Sequence, residues 1–261
     1  MSEHETIRLY CKALRMPTVG ELFINAISQA EKENWSLADF LAHLLEQEVE
    51  GRRQRRIARL RTQSQLPSGK TFAVFDEKRL PLRMRRQVTQ LKSGDFVGRA
   101  QNILCFGLPG TGKTHLAAAV GHCLVENGHR VLFLPAFKLV ARLLRAKRDL
   151  ELDRELRRLD KFEVIVLDDI GYVQQSQAEM EVLFTFLSER YERRSLIITS
   201  NLVFSEWGRI FKDPLTTAAA IDRVVHHSII LEFGKDVKSL RMEEAVKRNK
   251  QPIMTPKTEA E

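Results

Sequence analysis

Apolar residues recur in two different rhythms along the 261 residues, and the change of rhythm divides the chain. Up to about residue 92 the period is helical. Thr6–Leu14 carries Ile7, Leu9, Tyr10 and Leu14 before Met16-Pro17 interrupts it. Val19–Glu31 places Leu22, Phe23, Ala26, Ile27 and Ala30 at the i, i+3, i+4 spacing of one helix face. Ser36 reads as the N-cap of a third helix, with Asp39 three residues on as a capping partner. Leu37, Phe40, Leu41, Leu44, Leu45 and Glu48-Val49 supply its apolar face, and it then runs into Arg52, Arg53, Arg55, Arg56, Arg59 and Arg61. The first half of that helix is expected to pack and the second to stand as a cationic rod. Thr62–Lys70 reads as a linker, and Leu82–Lys92 as a further basic helix ended by Ser93-Gly94.

From Asn102 the rhythm alternates between strand and helix. Strands are predicted at 102–107, 130–135, 162–168, 195–200 and 228–232, and helices at 113–127, 137–147, 150–159, 177–193, 216–225 and 238–248. Near-continuous apolar runs such as Phe162–Leu167 suit central parallel strands covered on both faces. The predicted architecture is an α/β three-layer nucleotide-binding core behind a small all-α domain. The domain limits are expected at 1–66 (helical), 67–248 (α/β) and 249–261 (a disordered polar tail).

Charge sharpens this division. Residues 1–50 carry a net charge of −5, residues 51–92 carry +11, and the remainder +2. The excess of positive charge therefore sits in one block, which points to a polyanion, nucleic acid or an anionic membrane, and the nucleotide motif further along the chain favours DNA or RNA. The three cysteines, Cys11, Cys105 and Cys123, are far apart and form neither a zinc motif nor a disulfide framework, as expected of a reducing cytoplasm. No stretch resembles a signal peptide or a membrane span, so no membrane association is expected.

The candidate chemistry begins at Gly107-Leu108-Pro109-Gly110-Thr111-Gly112-Lys113-Thr114, which fits G-x-x-x-x-G-K-[ST] between a strand-like and a helix-like run. Its backbone N–H groups, with His115 following, would cradle a polyphosphate at a helix N-terminus. Lys113 would reach the β- and γ-phosphates of ATP, and the Thr114 hydroxyl would ligate Mg²⁺. A second apolar run ends in Asp168-Asp169. Asp168 is expected to help hold Mg²⁺, and Asp169 to polarise the attacking water. Leu196–Asn201 is an apolar strand ending in small polar residues, where Asn201 is the choice for sensing the γ-phosphate and Thr199 and Ser200 are runners-up. Arg223 is the candidate for an arginine supplied to a neighbouring subunit's site, with Arg193, Arg194 and Arg241 as alternatives.

Together GLPGTGKT, VIVLDDIG, ITSN, IDRVVHHS and KSLR resemble the IstB group of AAA+ ATPases, helpers of bacterial insertion sequences related to DnaC-type helicase loaders. The resemblance runs from the N-terminal helices to about Lys247. It implies an AAA+ core with a five-stranded parallel sheet in the order 5-1-4-3-2, and an arginine finger near Arg223. It also implies an ATP-dependent homo-oligomer that assembles on double-stranded DNA in the bacterial cytoplasm and presents a target to a transposase of the same element. Within it, Phe137–Leu159 corresponds to a DNA-touching insert, with Lys138, Arg142 and Arg145 on one face. Arg52, Arg53, Arg55, Arg56 and Arg59 complete the expected DNA contacts. Asp169 stands where many AAA+ members use Glu, and no separate helical lid follows the last strand.

Two other readings share parts of this pattern. A helicase loader would use the same ATP site and grip a helicase with the N-terminal helices. A metabolite kinase would leave the +11 block unexplained and lacks an acceptor-binding lid. The adjacent His226-His227 pair is not expected to bind a metal, because neighbouring residues point apart and no third ligand is spaced to help. Trp35 and Trp207 are expected in packing roles.

Overall fold

Ser2 opens the first helix, α1 (Glu3–Ala13), through a capping box: its side chain accepts from the Glu5 N–H while the Glu5 carboxylate accepts from the Ser2 N–H. Pro17 sits in the first turn of α2 (Pro17–Glu33), and Asn34 ends that helix in the left-handed conformation. Ser36 then caps α3 (Leu37–Ser64), its hydroxyl accepting from the Asp39 N–H at 3.1 Å and donating to the Asp39 carboxylate at 2.6 Å. The computed structural model describes residues 2–172, 176–202, 206–207 and 214–234. The predicted helix at 238–248, Arg241 and the polar tail lie outside the described residues. The chain divides into two compact units, Met1–Arg59 and Leu60–Glu261.

In the first unit Cys11, Val19, Phe23, Ala26 and Leu44 form the core, with Met16, Ile24, Ile27 and Phe40 against it. The expected apolar face of α3 packs only in part. Leu44 is buried, but Leu37, Leu41, Leu45 and Val49 are exposed, because four-residue steps carry that stripe along the flank away from α2.

The arginine block is also less free than a cationic rod. Met16 offers α2 no side-chain cap, and Glu48 Oε2 accepts from the Thr18 and Val19 N–H groups instead, at 2.9 and 3.2 Å. Its other oxygen accepts from Arg52 at 2.9 Å and Arg55 at 3.0 Å. Arg55 also donates to the Thr18 hydroxyl at 2.8 Å, and Arg52 to the Arg15 carbonyl at 2.8 Å. Burial works to raise the pKa of Glu48, but the Arg52 hydrogen bond, the two backbone donors and the Arg55 charge outweigh it and hold the carboxyl below its ordinary 4.5. The stabilisation is therefore present above the unfolded-state pKa and lost as pH falls through the lower folded value. Glu48→Ala should cost roughly 2–4 kcal/mol by orphaning two N–H groups and two guanidinium groups. Thermal unfolding against pH checks this: the gap between variant and parent should narrow as pH falls below the ordinary 4.5.

The second unit is built on a parallel sheet. Its strands are β1 (Asn102–Gly107), β2 (Val131–Pro135), β3 (Val164–Asp168), β4 (Ser195–Ser200) and β5 (Ser228–Phe233), in the order β2-β3-β4-β1-β5. Read from the other edge this is 5-1-4-3-2, the order the resemblance implied. One sheet face carries Leu104, Phe106, Leu132, Leu134, Ile165, Leu167, Leu196 and Ile198. They are covered by α7 (Ala136–Arg148), α9 (Gln177–Arg190) and α10 (Pro214–Val225). The alternate residues Ile103, Cys105, Val164, Val166, Ile197 and Thr199 are buried on the opposite face, where α6 (Lys113–Glu126) packs. Burial on both faces is why these strands read as continuous apolar runs. Trp207 is fully buried beside Phe106, a packing role as expected.

Several boundaries differ from the sequence pattern for local reasons. α9 stops at Arg190 rather than 193, because the buried Arg190 guanidinium donates to the Leu159, Phe162, Glu163 and Ser195 carbonyls and ties the turn to the start of β3 and β4. Burial brings the Arg190 pKa down to about 9. The stretch expected as a linker is docked instead: α3 continues to Ser64, Leu66 lies against Gly121 of α6, and His122 contacts the Pro67 carbonyl at 3.1 Å. The basic helix α4 (Leu82–Ser93) buries Met84, Val88 and Leu91 and ends at Gly94. α5 (Asp95–Gly98) follows as a single turn, and α8 (Leu152–Asp160) joins α7 to β3.

Candidate functional site

The C-terminal ends of β1, β3 and β4 come together where a doubly wound sheet places its ligands. β1 feeds the loop 108–112, and α6 begins at Lys113 with Gly112 as its cap. Gly107 has φ 147°, and a Cβ there would lie 2.7 Å from the Phe233 Cβ, so only glycine lets the loop leave β1 alongside β5. Gly112 has φ 101°, which turns the chain into α6 and leaves the first N–H groups of that helix directed at the loop. Thr111 ties the loop across itself by donating to the Leu108 carbonyl at 2.8 Å.

Lys113 is buried within this loop, its Nζ donating to the Gly107 and Leu108 carbonyls at 2.7 and 2.8 Å. A buried ammonium held by loop carbonyls is a cation prepared for an anion. Thr114 and His115 follow it in the first turn and are half-buried. Beneath the loop, burial pushes the Cys105 thiol up to about 12, with the Lys113 charge opposing and the Asp168 charge adding, so it stays a protonated thiol.

Asp168 ends β3, and the fully buried Thr199 of β4 donates its hydroxyl to the Asp168 carboxylate at 2.7 Å. The same hydroxyl oxygen accepts from the Asp169 N–H at 2.9 Å. Asp169 adopts φ 56°, a left-handed conformation that aspartate tolerates better than most residues. One threonine therefore holds the Asp168 carboxylate and the Asp169 backbone together. Asn201 lies just beyond β4 with its Oδ1 facing Gly171; that oxygen is buried and has no hydrogen-bond partner among the described residues.

Two features of this region have partners that the sequence does not show. Thr199 reads there as an alternative phosphate sensor, whereas its partners in the structure are the two aspartates. Phe75 lies 3.4 Å from the position of a Cβ on Gly112 and 5.1 Å, ring to ring, from His115. The His115 Nε2 contacts the Thr71 carbonyl at 3.0 Å, and Phe72 packs edge-on against Phe75. The only sequence signal is a pair of phenylalanines three residues apart, directly after the expected linker.

The candidate arginines are spread widely. Arg223, on α10, lies over the Phe184 ring at 4.6 Å, and its Nη1 is buried with no hydrogen-bond partner among the described residues. Arg193 and Arg194 stand before β4, at the opposite end of the sheet from the loop, and both contact Asp160, at 3.3 and 3.7 Å. Of the expected DNA contacts on α7, Lys138 and Arg145 are exposed, while Arg142 is held by the Glu155 carboxylate of α8. In the arginine block, Arg53, Arg56 and Arg59 are exposed, with Glu50 3.6 Å from Arg53. Arg52 and Arg55 are committed to Glu48.

The expectation that the histidine pair diverges is overturned. The His226 and His227 rings are 4.2 Å apart and share Glu192, which the sequence places 34 residues earlier but the fold brings beside them.

Known proteins share both the sequence and the core of this architecture. An insertion-sequence ATP-binding protein of Sinorhizobium fredii is 45% identical over 89% of this chain and 78% of its own length. The insertion sequence IS21 ATP-binding protein of Pseudomonas aeruginosa is 37% identical over 96% of this chain and 95% of its own. Among solved structures, DnaI aligns with a TM-score of 0.54 at 20% identity, covering 65% of this chain and 95% of that one. AMPPCP-bound DnaA from Aquifex aeolicus aligns at 0.54 and 19% identity, covering 71% and 57%. These two establish the AAA+ fold. The family model for IstB-like ATP-binding proteins matches residues 10–247, and the chain belongs to that family.

Proposed function

We propose that this chain binds ATP with Mg²⁺ and uses hydrolysis to switch a homo-oligomer on duplex DNA, where it helps a transposase of the same insertion sequence to select its target. The observation that carries the reading is the connected arrangement of a buried Lys113 in the phosphate loop and the Thr199-locked Asp168–Asp169 pair beside it. The relatives named for insertion sequences span both compact units, which favours the transposition role over helicase loading.

The residues fit the ligand. Lys113 exchanges its two carbonyls for phosphate oxygens, and the N–H groups at the start of α6 take the remaining phosphate charge. The Thr114 hydroxyl and the Asp168 carboxylate would hold Mg²⁺, which supplies charge neutralisation on the phosphates when bound. Asp169, oriented through its own N–H, is placed to accept a proton from water. The unpartnered Asn201 Oδ1 is the group left to orient that water. Phe75 and His115 offer an apolar wall beside the loop that suits a nucleobase. Arg223 would leave Phe184 to serve a neighbouring subunit, which makes assembly and turnover interdependent.

Sedimentation with random-sequence duplex DNA, without nucleotide and with ADP, ATP or a non-hydrolysable analogue, tests the reading. Large complexes should form only with ATP or the analogue; equal weak binding in every state would break the coupling. A companion variant, Arg53→Gln/Arg56→Gln/Arg59→Gln, leaves the Glu48 clamp intact. The slope of log affinity against log salt should flatten by about 0.9 for each phosphate that the variant no longer neutralises.

A further inference from the structure

The Glu192, His226 and His227 side chains converge at the end of the sheet remote from the phosphate loop. Glu192 lies in the turn before β4, and the two histidines lie between α10 and β5, so the cluster sits at the N-terminal ends of two parallel strands that flank β1. It is separate from anything Thr114 or Asp168 would hold. We infer that these three side chains form a binding site for a divalent transition metal of the Zn²⁺ class, with two imidazole nitrogens and one carboxylate oxygen as ligands.

The distances support a tetrahedral ion. Ligand atoms about 2.0–2.1 Å from a tetrahedral Zn²⁺ stand about 3.3–3.4 Å from one another. Here the Glu192 Oε1 is 3.2 Å from the His227 Nε2 and 4.0 Å from the His226 Nδ1, and all three ligand atoms lie within 4.8 Å of one another. Small χ rotations of half-exposed side chains close the remaining gap. The Tyr191 hydroxyl, 3.0 Å from the His226 Nδ1, is the neighbour that a metal at that nitrogen would displace.

The frame is rigid where a site requires it. The Asn102 N–H donates to the His227 carbonyl at 2.7 Å, and its side chain donates to the Val224 carbonyl at 3.0 Å and accepts from the Leu196 N–H at 2.9 Å. The buried Asn102 thus ties the end of α10 and the start of β4 to the start of β1, and holds the backbone that carries the histidine pair. Imidazole with carboxylate and no thiolate selects Zn²⁺, Ni²⁺ or Cu²⁺ over Mg²⁺ or Ca²⁺. A bound ion would pin the turn that ends α10, three residues from Arg223.

The test is Zn²⁺ binding to the full-length, tag-free, nucleotide-free protein by competition with a chromophoric chelator, with Co²⁺ absorption as a report of coordination. One Zn²⁺ per chain is expected, with affinity falling at least tenfold in Glu192→Gln and further in His226→Gln/His227→Gln, while His43→Gln leaves it unchanged. Substitution by Co²⁺ should give visible d–d bands that vanish in the double variant. Equal Zn²⁺ affinity in the wild type and the double variant would overturn the site. Should the double variant misfold by circular dichroism, Glu192→Gln alone decides, and parental affinity there overturns the site equally.

Discussion

Lys113→Ala is expected to lose ATP binding while keeping its fold. The ammonium is buried and, without nucleotide, held by two carbonyls of its own loop, so its removal leaves those carbonyls to water at the loop surface. With nucleotide the loss is larger, because the phosphates are then enclosed without the cation that compensates them. Truncating one partner of a buried, hydrogen-bonded charge pair costs roughly 2–5 kcal/mol, or about thirty- to several-thousand-fold in affinity. Titration with a fluorescent ATP analogue reads this directly, with circular dichroism as the control for folding. Parental affinity in the variant would remove the phosphate loop from the nucleotide site.

Which parts of the fold and site are legible in the sequence follows from how far apart the interacting residues are. The phosphate loop is legible because its eight residues are contiguous and each acts through its own backbone or its near neighbours. The central strands β1, β3 and β4 are legible because burial on both faces leaves nearly unbroken apolar runs, Val164–Leu167 being the plainest. The helix cap at Ser36 acts over three residues and belongs to the same class. The Glu48 clamp closes over about thirty residues and reverses the meaning of part of the arginine block, because nothing near Glu48 in the sequence marks it as the cap of a helix that begins at Pro17. Asp168 and Thr199 are joined only because β3 and β4 are adjacent and in register. Nothing near the His226-His227 pair in the sequence marks Glu192 as its partner, and Glu192 arrives from the turn before β4, on the far side of β1. Local chemistry is readable; chemistry assembled by sheet order is not.

That sheet order also separates the two carboxylates of the site by experiment. Asp169→Asn keeps the side-chain shape, the left-handed backbone that asparagine also tolerates, and the N–H that donates to Thr199. ATP binding should therefore persist while turnover falls by roughly 10²–10⁴, the usual contribution of a positioned general base. The same variant should stay on DNA in large complexes when ATP is present, because the step that releases it is blocked. Thr199→Val behaves differently. It removes the hydroxyl that serves Asp168 and Asp169 together, leaving a buried N–H and a carboxylate each one partner short, at a cost of about 1–3 kcal/mol. Its turnover should fall with a raised Mg²⁺ requirement, whereas Asp169→Asn should leave the Mg²⁺ requirement near the parent's. Steady-state hydrolysis measured against Mg²⁺ concentration distinguishes the two. Normal turnover in Asp169→Asn would assign the water to another residue, and the buried, unpartnered Asn201 is then the group to change next.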